Sequence, residues 1–222
     1  MNPFDLQYPP NSDCEALWSR MADDIRANGY SVQPNALSMG LGMALRQEMM
    51  DTNDQLFKLA GVGRENDFQK AQSIRQDQIR WITGSSNAQL AWLDWCKQLQ
   101  VFLNRQLILG LFSFESHFAH YKPGAFYKTH VDSFRGQANR VLSLVAYLNA
   151  DWHARDGGEL VIYSPENPAQ EVVRIEPTMG TVVAFLSEEF PHEVLPTAKD
   201  RYSIAGWYRL NTSIQGQIDP PQ

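Results

Sequence analysis

His130-Val131-Asp132, with His192 and Arg201 further along the chain, is the set of residues best equipped for chemistry. Two imidazoles and one carboxylate form the donor set of a non-haem Fe(II) site that keeps its other coordination positions open for reagents. The first His and the Asp lie two residues apart, so on a single strand both side chains point to the same face. His192 lies far enough along to come from another strand, meeting the first across a barrel. Arg201, in Arg201-Tyr202-Ser203, carries a rigid guanidinium fork that could hold a distal carboxylate. Ser203 shares its face and could add a hydroxyl beside it. Tyr147 sits in the apolar run Leu144-Val145-Ala146-Tyr147-Leu148, where a buried phenol needs a partner. That partner is either the carboxylate end of a bound 2-oxoacid or backbone, as for an ordinary core tyrosine.

Together these residues point to an Fe(II) oxygenase that uses 2-oxoglutarate. In such chemistry the 2-oxoacid end chelates the metal and a position is left for dioxygen. Succinate and carbon dioxide leave, and a hydroxyl is returned to the substrate, with the protein orienting the reactants. Asp132 favours hydroxylation, since a small neutral residue in its place would open a halide site. Of the five histidines, His117, His120 and His153 compete as ligands. His117 and His120 lie among Phe112, Phe114, Phe118 and Tyr121 in a segment that reads as strand, where they would face opposite sides. His153 falls in a polar loop ahead of Gly157-Gly158.

The elements that must position these residues divide the chain in two. Ser12 or Asp13 is expected to cap a helix through Leu17, Met21 and Ile25, stopped by Gly29. Asn35 is expected to cap a second, with Leu37, Leu41 and Leu45 one turn apart. A polar stretch from Asp51 to Gln78 follows. Its Ala60-Gly61-Val62-Gly63-Arg64 segment lacks the ending and flanking elements of a phosphate loop and reads as a flexible loop. Ser86 opens a third helix with Leu90, Leu93, Leu99, Phe102 and Leu103 on an apolar face, and Trp92 and Trp95 read as packing residues. From Ser113 the pattern changes to strands at 113–121, 126–132, 139–149, 158–163, 171–176, 180–186 and 202–210. The punctuation is Pro123-Gly124, Asp156-Gly157-Gly158, Pro165 to Pro168, Pro177 to Gly180, and Pro196. This is an α+β chain: a double-stranded β-helix (jelly roll) with supporting N-terminal helices. One domain over 1–222 is expected, with helical support and a substrate loop over about 1–110, a catalytic core over about 111–210 and a polar tail over 211–222.

Composition narrows the function classes. With 43% hydrophobic residues, 222 residues can bury a full core, and a net charge of −6 argues against a nucleic-acid backbone as the main partner. Cys14 and Cys96 are too few for a disulfide framework. No run approaches the roughly eighteen apolar residues of a membrane span, and Met1-Asn2-Pro3-Phe4-Asp5 carries no signal-peptide pattern. A cytoplasmic protein with no membrane partner is expected.

The stretch Tyr121-Lys-Pro-Gly-Ala-Phe-Tyr127-Lys-Thr-His130-Val-Asp132 resembles the start of the catalytic core of the prolyl hydroxylases that act on hypoxia-inducible factor, and of their bacterial relatives acting on elongation factor Tu. The likeness continues through Arg140 to Tyr147-Leu-Asn-Ala-Asp-Trp152, Gly157-Gly158, Pro191-His192-Glu193-Val194 and Arg201-Tyr-Ser-Ile-Ala-Gly-Trp207, covering roughly 25–210. Upstream, Ile74-Arg75-Gln-Asp77-Gln-Ile79-Arg-Trp81 resembles the mobile substrate-covering loop of these enzymes. Collagen-type prolyl hydroxylases usually have Lys where Arg201 stands. Between Tyr121 and His130 the spacing is one residue shorter than in the animal enzymes.

The resemblance implies a peptidyl-prolyl 4-hydroxylase. His130, Asp132 and His192 would ligate Fe(II), and Arg201 with Tyr147 would hold the C5 carboxylate of 2-oxoglutarate. Tyr121 would line that pocket. Arg75, Asp77, Arg140 and Tyr127 would serve the substrate region, and Trp207 the floor near the target proline. Asp77 is expected to pair with Arg140 and close the loop. Dioxygen is the second cosubstrate, ascorbate an accessory reductant, and a cytosolic protein such as elongation factor Tu the partner. Two rival readings stand beside it. One is a 2-oxoglutarate hydroxylase of another protein residue, a free amino acid, a small metabolite or an alkylated base. The other is a non-catalytic metal-binding jelly roll, which would have no need of Arg201 with Tyr147.

Overall fold

The computed structural model describes residues 11–60, 73–133 and 139–211. Helix α1 (Asn11–Asn28) begins one residue before Ser12. It stops at Gly29, whose φ of +78° lets its N–H close on the Ile25 carbonyl at 2.9 Å. Helix α2 (Met39–Asp51) is capped by Ser38, whose hydroxyl accepts from the Leu41 N–H at 3.2 Å. The expected cap, Asn35, instead adopts a left-handed turn conformation (φ +56°), which Asn tolerates better than most residues. Ser86 caps α3 (Asn87–Leu107) as expected, accepting from the Gln89 N–H at 3.1 Å. Trp92, Trp95, Leu99 and Leu103 are its buried face; Leu90 is an exception to the expected stripe and lies exposed.

The strands are β1 (Tyr30–Gln33), β2 (Lys58–Leu59), β3 (Gln78–Trp81), β4 (Ser113–Tyr121), β5 (Tyr127–His130), β6 (Arg140–Tyr147), β7 (Leu160–Tyr163), β8 (Glu171–Ile175), β9 (Val182–Leu186), β10 (His192–Val194) and β11 (Arg201–Arg209). They form a major sheet, ordered β1-β9-β6-β11-β4-β3-β2, and a minor sheet, ordered β5-β10-β7-β8. Every pairing between these strands is antiparallel. The result is the α+β jelly roll with supporting helices that the strand pattern indicates. Four short strands escaped the sequence reading: β1, β2, β3 and β10. Each has two to four residues, too few for an alternating pattern to declare itself.

The alternation of side chains along the major sheet builds two cores. Even-numbered residues Phe118, Leu142, Leu144, Ala146, Val182, Ala184, Ile204 and Tyr208 pack against the helices. Odd-numbered Ala119, Tyr121, Tyr147, Val183 and Phe185 turn inward toward Leu160, Ile162 and Val194 of the minor sheet. The same parity sends Arg201, Ser203, Ala205 and Trp207 of β11 into the cavity between the sheets. Arg201 and Ser203 are thus delivered by a strand whose other face, at Ile204 and Tyr208, packs against the helices.

Candidate active site

His130 ends β5 and His192 begins β10, and the two lie directly opposite each other as ladder partners. They are therefore neighbours in the minor sheet and do not meet across the barrel, as the sequence spacing had suggested. Asp132 follows two residues after the end of β5. One Asp132 carboxylate oxygen lies 3.6 Å from His130 Nε2 and the other 3.7 Å from His192 Nε2. The three ligand atoms fall within 4.8 Å of one another, a spacing that one divalent transition metal can span.

The surroundings prepare these groups for a cation. His130 Nδ1 lies 2.8 Å from the Lys128 carbonyl and His192 Nδ1 3.0 Å from the Phe190 carbonyl. A proton on each Nδ1 satisfies these contacts and leaves each Nε2 lone pair for a metal. Burial pushes the His192 imidazole down to about 4, against the opposing pull of Asp132, so that it is neutral at ordinary pH. For Asp132 burial acts in the other direction and would raise its pKa. The nearby His192 and His130, with the Ser143 hydroxyl donating at 2.6 Å, overcome burial and hold the carboxylate well below its usual range. Ser143 itself contacts Ser187 at 2.9 Å. These orienting residues were missed in the sequence, although a serine inside the apolar strand Val141-Leu142-Ser143-Leu144 is the kind of signal that could reveal one.

On the major sheet, Arg201 is only 1% exposed. Its Nε donates to the Gly158 carbonyl at 2.7 Å and one terminal nitrogen donates to the Ser203 hydroxyl at 3.1 Å. The guanidinium lies over the rings of Tyr121 (4.9 Å) and Tyr147 (5.2 Å). No carboxylate among the described residues lies within ion-pair distance of it. A buried cation without an anion is costly, and a ligand carboxylate would answer that cost. The Tyr147 hydroxyl is likewise buried and meets no hydrogen-bond partner among the described residues. Burial pushes its pKa up to about 12 despite the nearby Arg201, so the phenol stays protonated and able to donate. Both observations fit the far carboxylate of a 2-oxoacid. Gly158 permits the arrangement: at φ +70°, a Cβ there would sit 3.0 Å from Arg201 Cδ and 3.1 Å from Thr197 Cβ.

These two ends share a cavity of about 340 Å³, lined further by Arg75, Trp81, Tyr127, Arg140 and Trp207. The structure does not make the expected Asp77–Arg140 pair. Asp77, fully buried, takes Arg75 in two hydrogen bonds of 2.5 and 2.8 Å, while Arg140 bonds Glu115 at 3.1 Å and stacks 3.7 Å over Trp207. Asp77 takes a partner two residues away, and Arg140 takes one on β4, across the intervening β11. Of the competing histidines, His117 lines the cavity away from the metal cluster. His120 points to the other face of β4, 2.7 Å from Asp200, and His153 caps a short turn outside the site. The Gly61–Arg64 part of the loop read from sequence lies outside the described residues.

The comparisons with known proteins bear on this geometry. Residues 116–209 match the model of the 2OG-Fe(II) oxygenase superfamily. A Pseudomonas putida prolyl-4-hydroxylase structure is 39% identical, covering 87% of this chain and 98% of that one, with a TM-score of 0.77. A Trichoplax adhaerens prolyl hydroxylase, in complex with a peptide from the hypoxia-inducible-factor oxygen degradation domain, is 25% identical over 92% of this chain and 95% of that one, with a TM-score of 0.82. Human Egl nine homolog 1 is 38% identical over 86 residues, 38% of this chain, and the match spans only 20% of the human protein's length. The chain belongs to the 2OG-Fe(II) oxygenase superfamily.

Proposed function

We propose that this protein is an Fe(II)- and 2-oxoglutarate-dependent prolyl 4-hydroxylase acting on a prolyl residue of a protein. The single observation that carries the reading is the pairing, inside one cavity, of a His130-Asp132-His192 cluster with a buried Arg201 that has no anion. The likeness to the Pseudomonas putida enzyme over nearly all of that chain supports the prolyl substrate. The peptide complex of the Trichoplax adhaerens relative supports an extended protein segment as the form in which proline is presented.

The residues divide the work as follows. His130, Asp132 and His192 would hold Fe(II), their orientation fixed by the Lys128 and Phe190 carbonyls and by Ser143. Arg201, Ser203 and Tyr147 would hold the C5 carboxylate of 2-oxoglutarate, with the Tyr121 ring walling that end. When bound, the metal and 2-oxoglutarate supply the activation of dioxygen and the oxidation of a C–H bond. Trp207, with Arg140 stacked on it, and Tyr127 would frame the prolyl ring, and Arg75 with Asp77 would bound the entrance. The non-catalytic alternative leaves the buried Arg201 without a purpose.

Elongation factor Tu is the candidate substrate that the sequence resemblance nominates. The test is mass spectrometry of purified elongation factor Tu after incubation with the protein, Fe(II), 2-oxoglutarate and oxygen, beside a His130→Ala control. A gain of one oxygen on one proline, absent from the control, is expected. Succinate formation without that gain would reject elongation factor Tu and leave the oxygenase standing.

A further inference from the structure

The ring of Tyr127 joins two groups that sequence leaves unrelated. It stacks on the His130 imidazole with ring centroids 3.5 Å apart and planes 14° from parallel. The Arg75 guanidinium lies 4.6 Å from the centre of the same phenol ring. Arg75 is in turn fixed by two hydrogen bonds from its guanidinium to the fully buried Asp77 carboxylate. The backbone reinforces the arrangement. Arg75 and Tyr127 are bridge partners, the Gln76 N–H donates to the Phe126 carbonyl at 3.0 Å, and the Lys128 N–H donates to the Ile74 carbonyl at 2.8 Å.

The His130 ring needs this support. Its Nδ1 contact with the Lys128 carbonyl fixes one point of the ring, and the His192 ring, 4.2 Å away and tilted by 54°, bounds one side of it. His192, by contrast, is packed edge-on against Phe185 at 4.6 Å and is 5% exposed. His130 lies at the end of β5 and its side chain is 16% exposed, so the face turned away from His192 depends on the ring that covers it. A flat ring lying nearly parallel to the imidazole and in van der Waals contact with it supplies the further constraint, since tilting either ring would drive it into the other.

We propose that Tyr127 is a positioning residue of the metal centre, and that Arg75, clamped by Asp77, acts through it. The segment leading into β3 thereby sets the plane of one metal ligand through the Tyr127 ring. This inference rests on the reading of His130 as a ligand. It adds to that reading a path from the entrance of the cavity to the metal, so whatever displaces Arg75 would also loosen His130.

The test is the affinity of the full chain for Mn(II), together with the d–d absorption of the Co(II)-loaded protein. Five variants are compared with wild type: Tyr127→Phe, Tyr127→Leu, Arg75→Gln, the Arg75→Gln/Tyr127→Leu double variant, and His130→Ala as the ligand control, each checked for an unaltered fold by circular dichroism. Tyr127→Phe keeps the stack, and its Mn(II) affinity and Co(II) spectrum should match wild type. Tyr127→Leu should bind Mn(II) about tenfold more weakly, in the range seen when outer partners of metal ligands are removed, and should shift the Co(II) bands. Arg75→Gln should weaken binding severalfold in the wild-type background and add nothing once Tyr127 is Leu. If Tyr127→Leu matches wild type in both measurements while His130→Ala loses the metal, the proposal is overturned and the metal site stands. If His130→Ala binds Mn(II) as well as wild type, the metal reading itself fails. Equal, additive losses for Arg75→Gln in both backgrounds would overturn the path through Tyr127.

Discussion

Arg201 and Ser143 show how much of the site depends on single contacts. A buried guanidinium that forms charge-assisted hydrogen bonds to a ligand carboxylate is worth several kcal/mol to that ligand, because removing it leaves the partner charge desolvated and unpaired. Arg201→Gln is therefore expected to weaken 2-oxoglutarate binding by ~3 kcal/mol, about a hundredfold, with Mn(II) affinity nearly unchanged. Titration calorimetry in the presence of Mn(II) measures both, and an unaltered 2-oxoglutarate affinity would refute the role given to Arg201. Ser143 donates to the Asp132 carboxylate at 2.6 Å from the neighbouring sheet. Ser143→Ala should lower metal affinity by about tenfold, as loss of an orienting partner does, without touching a ligand directly. Retention of full affinity would mean that the Ser187 side or water replaces it.

At the level of elements, the site is assembled by strand ends and by turns that only certain residues can make. Gly158→Ala places a Cβ 3.0 Å from Arg201 Cδ at a backbone φ of +70°, so both the turn and the guanidinium must shift. A loss of ~1–3 kcal/mol of stability and a raised KM for 2-oxoglutarate are expected, read by thermal melting and initial rates. Ser38→Ala, at the cap of α2 and outside the cavity, should cost ~1 kcal/mol, a fall in Tm of about 2–4 °C, with KM unchanged. If both variants changed KM alike, the distinction between positioning turn and remote cap would be wrong. The same elements explain what was legible in the sequence. The nine-residue β4 and β11 and the eight-residue β6 stand out because they are long enough for alternation to repeat. The His-x-Asp spacing and Arg201-x-Ser203 are local and survive in any strand. By contrast β10 has three residues, and nothing in its own sequence says that it pairs with β5. The partner of Asp77 was misjudged because the family likeness pointed to Arg140, whereas Arg75, two residues away, takes the carboxylate and Arg140 turns to Glu115. Ser38 took the cap expected of Asn35 because the turn used Asn35's tolerance of positive φ.

Across the whole molecule, the two sheets hold different halves of one reaction site. His130 and His192 belong to the minor sheet, and the Arg201, Ser203, Tyr121 and Tyr147 side chains to the major one. Ligands that occupy both halves tie the sheets together. Mn(II) and 2-oxoglutarate added together are expected to raise Tm by more than the sum of their separate shifts, since each ligand stabilises the state that binds the other. A ligand at about a hundred times its Kd contributes ~2.7 kcal/mol, large enough for the excess to be read by calorimetry. Strict additivity would place the two ligands in independent sites. The most direct measurement of the central claim is succinate release from 2-oxoglutarate, followed with oxygen incorporation into a proline-containing protein segment, in wild type, His130→Ala and Arg201→Gln. The account expects Fe(II)- and oxygen-dependent succinate matched by one oxygen gained on proline in wild type. It expects neither product from His130→Ala, and a rate restored toward wild type by high 2-oxoglutarate in Arg201→Gln. Folded, iron-loaded wild-type protein that releases no succinate, or a His130→Ala variant that turns over like wild type, would contradict it.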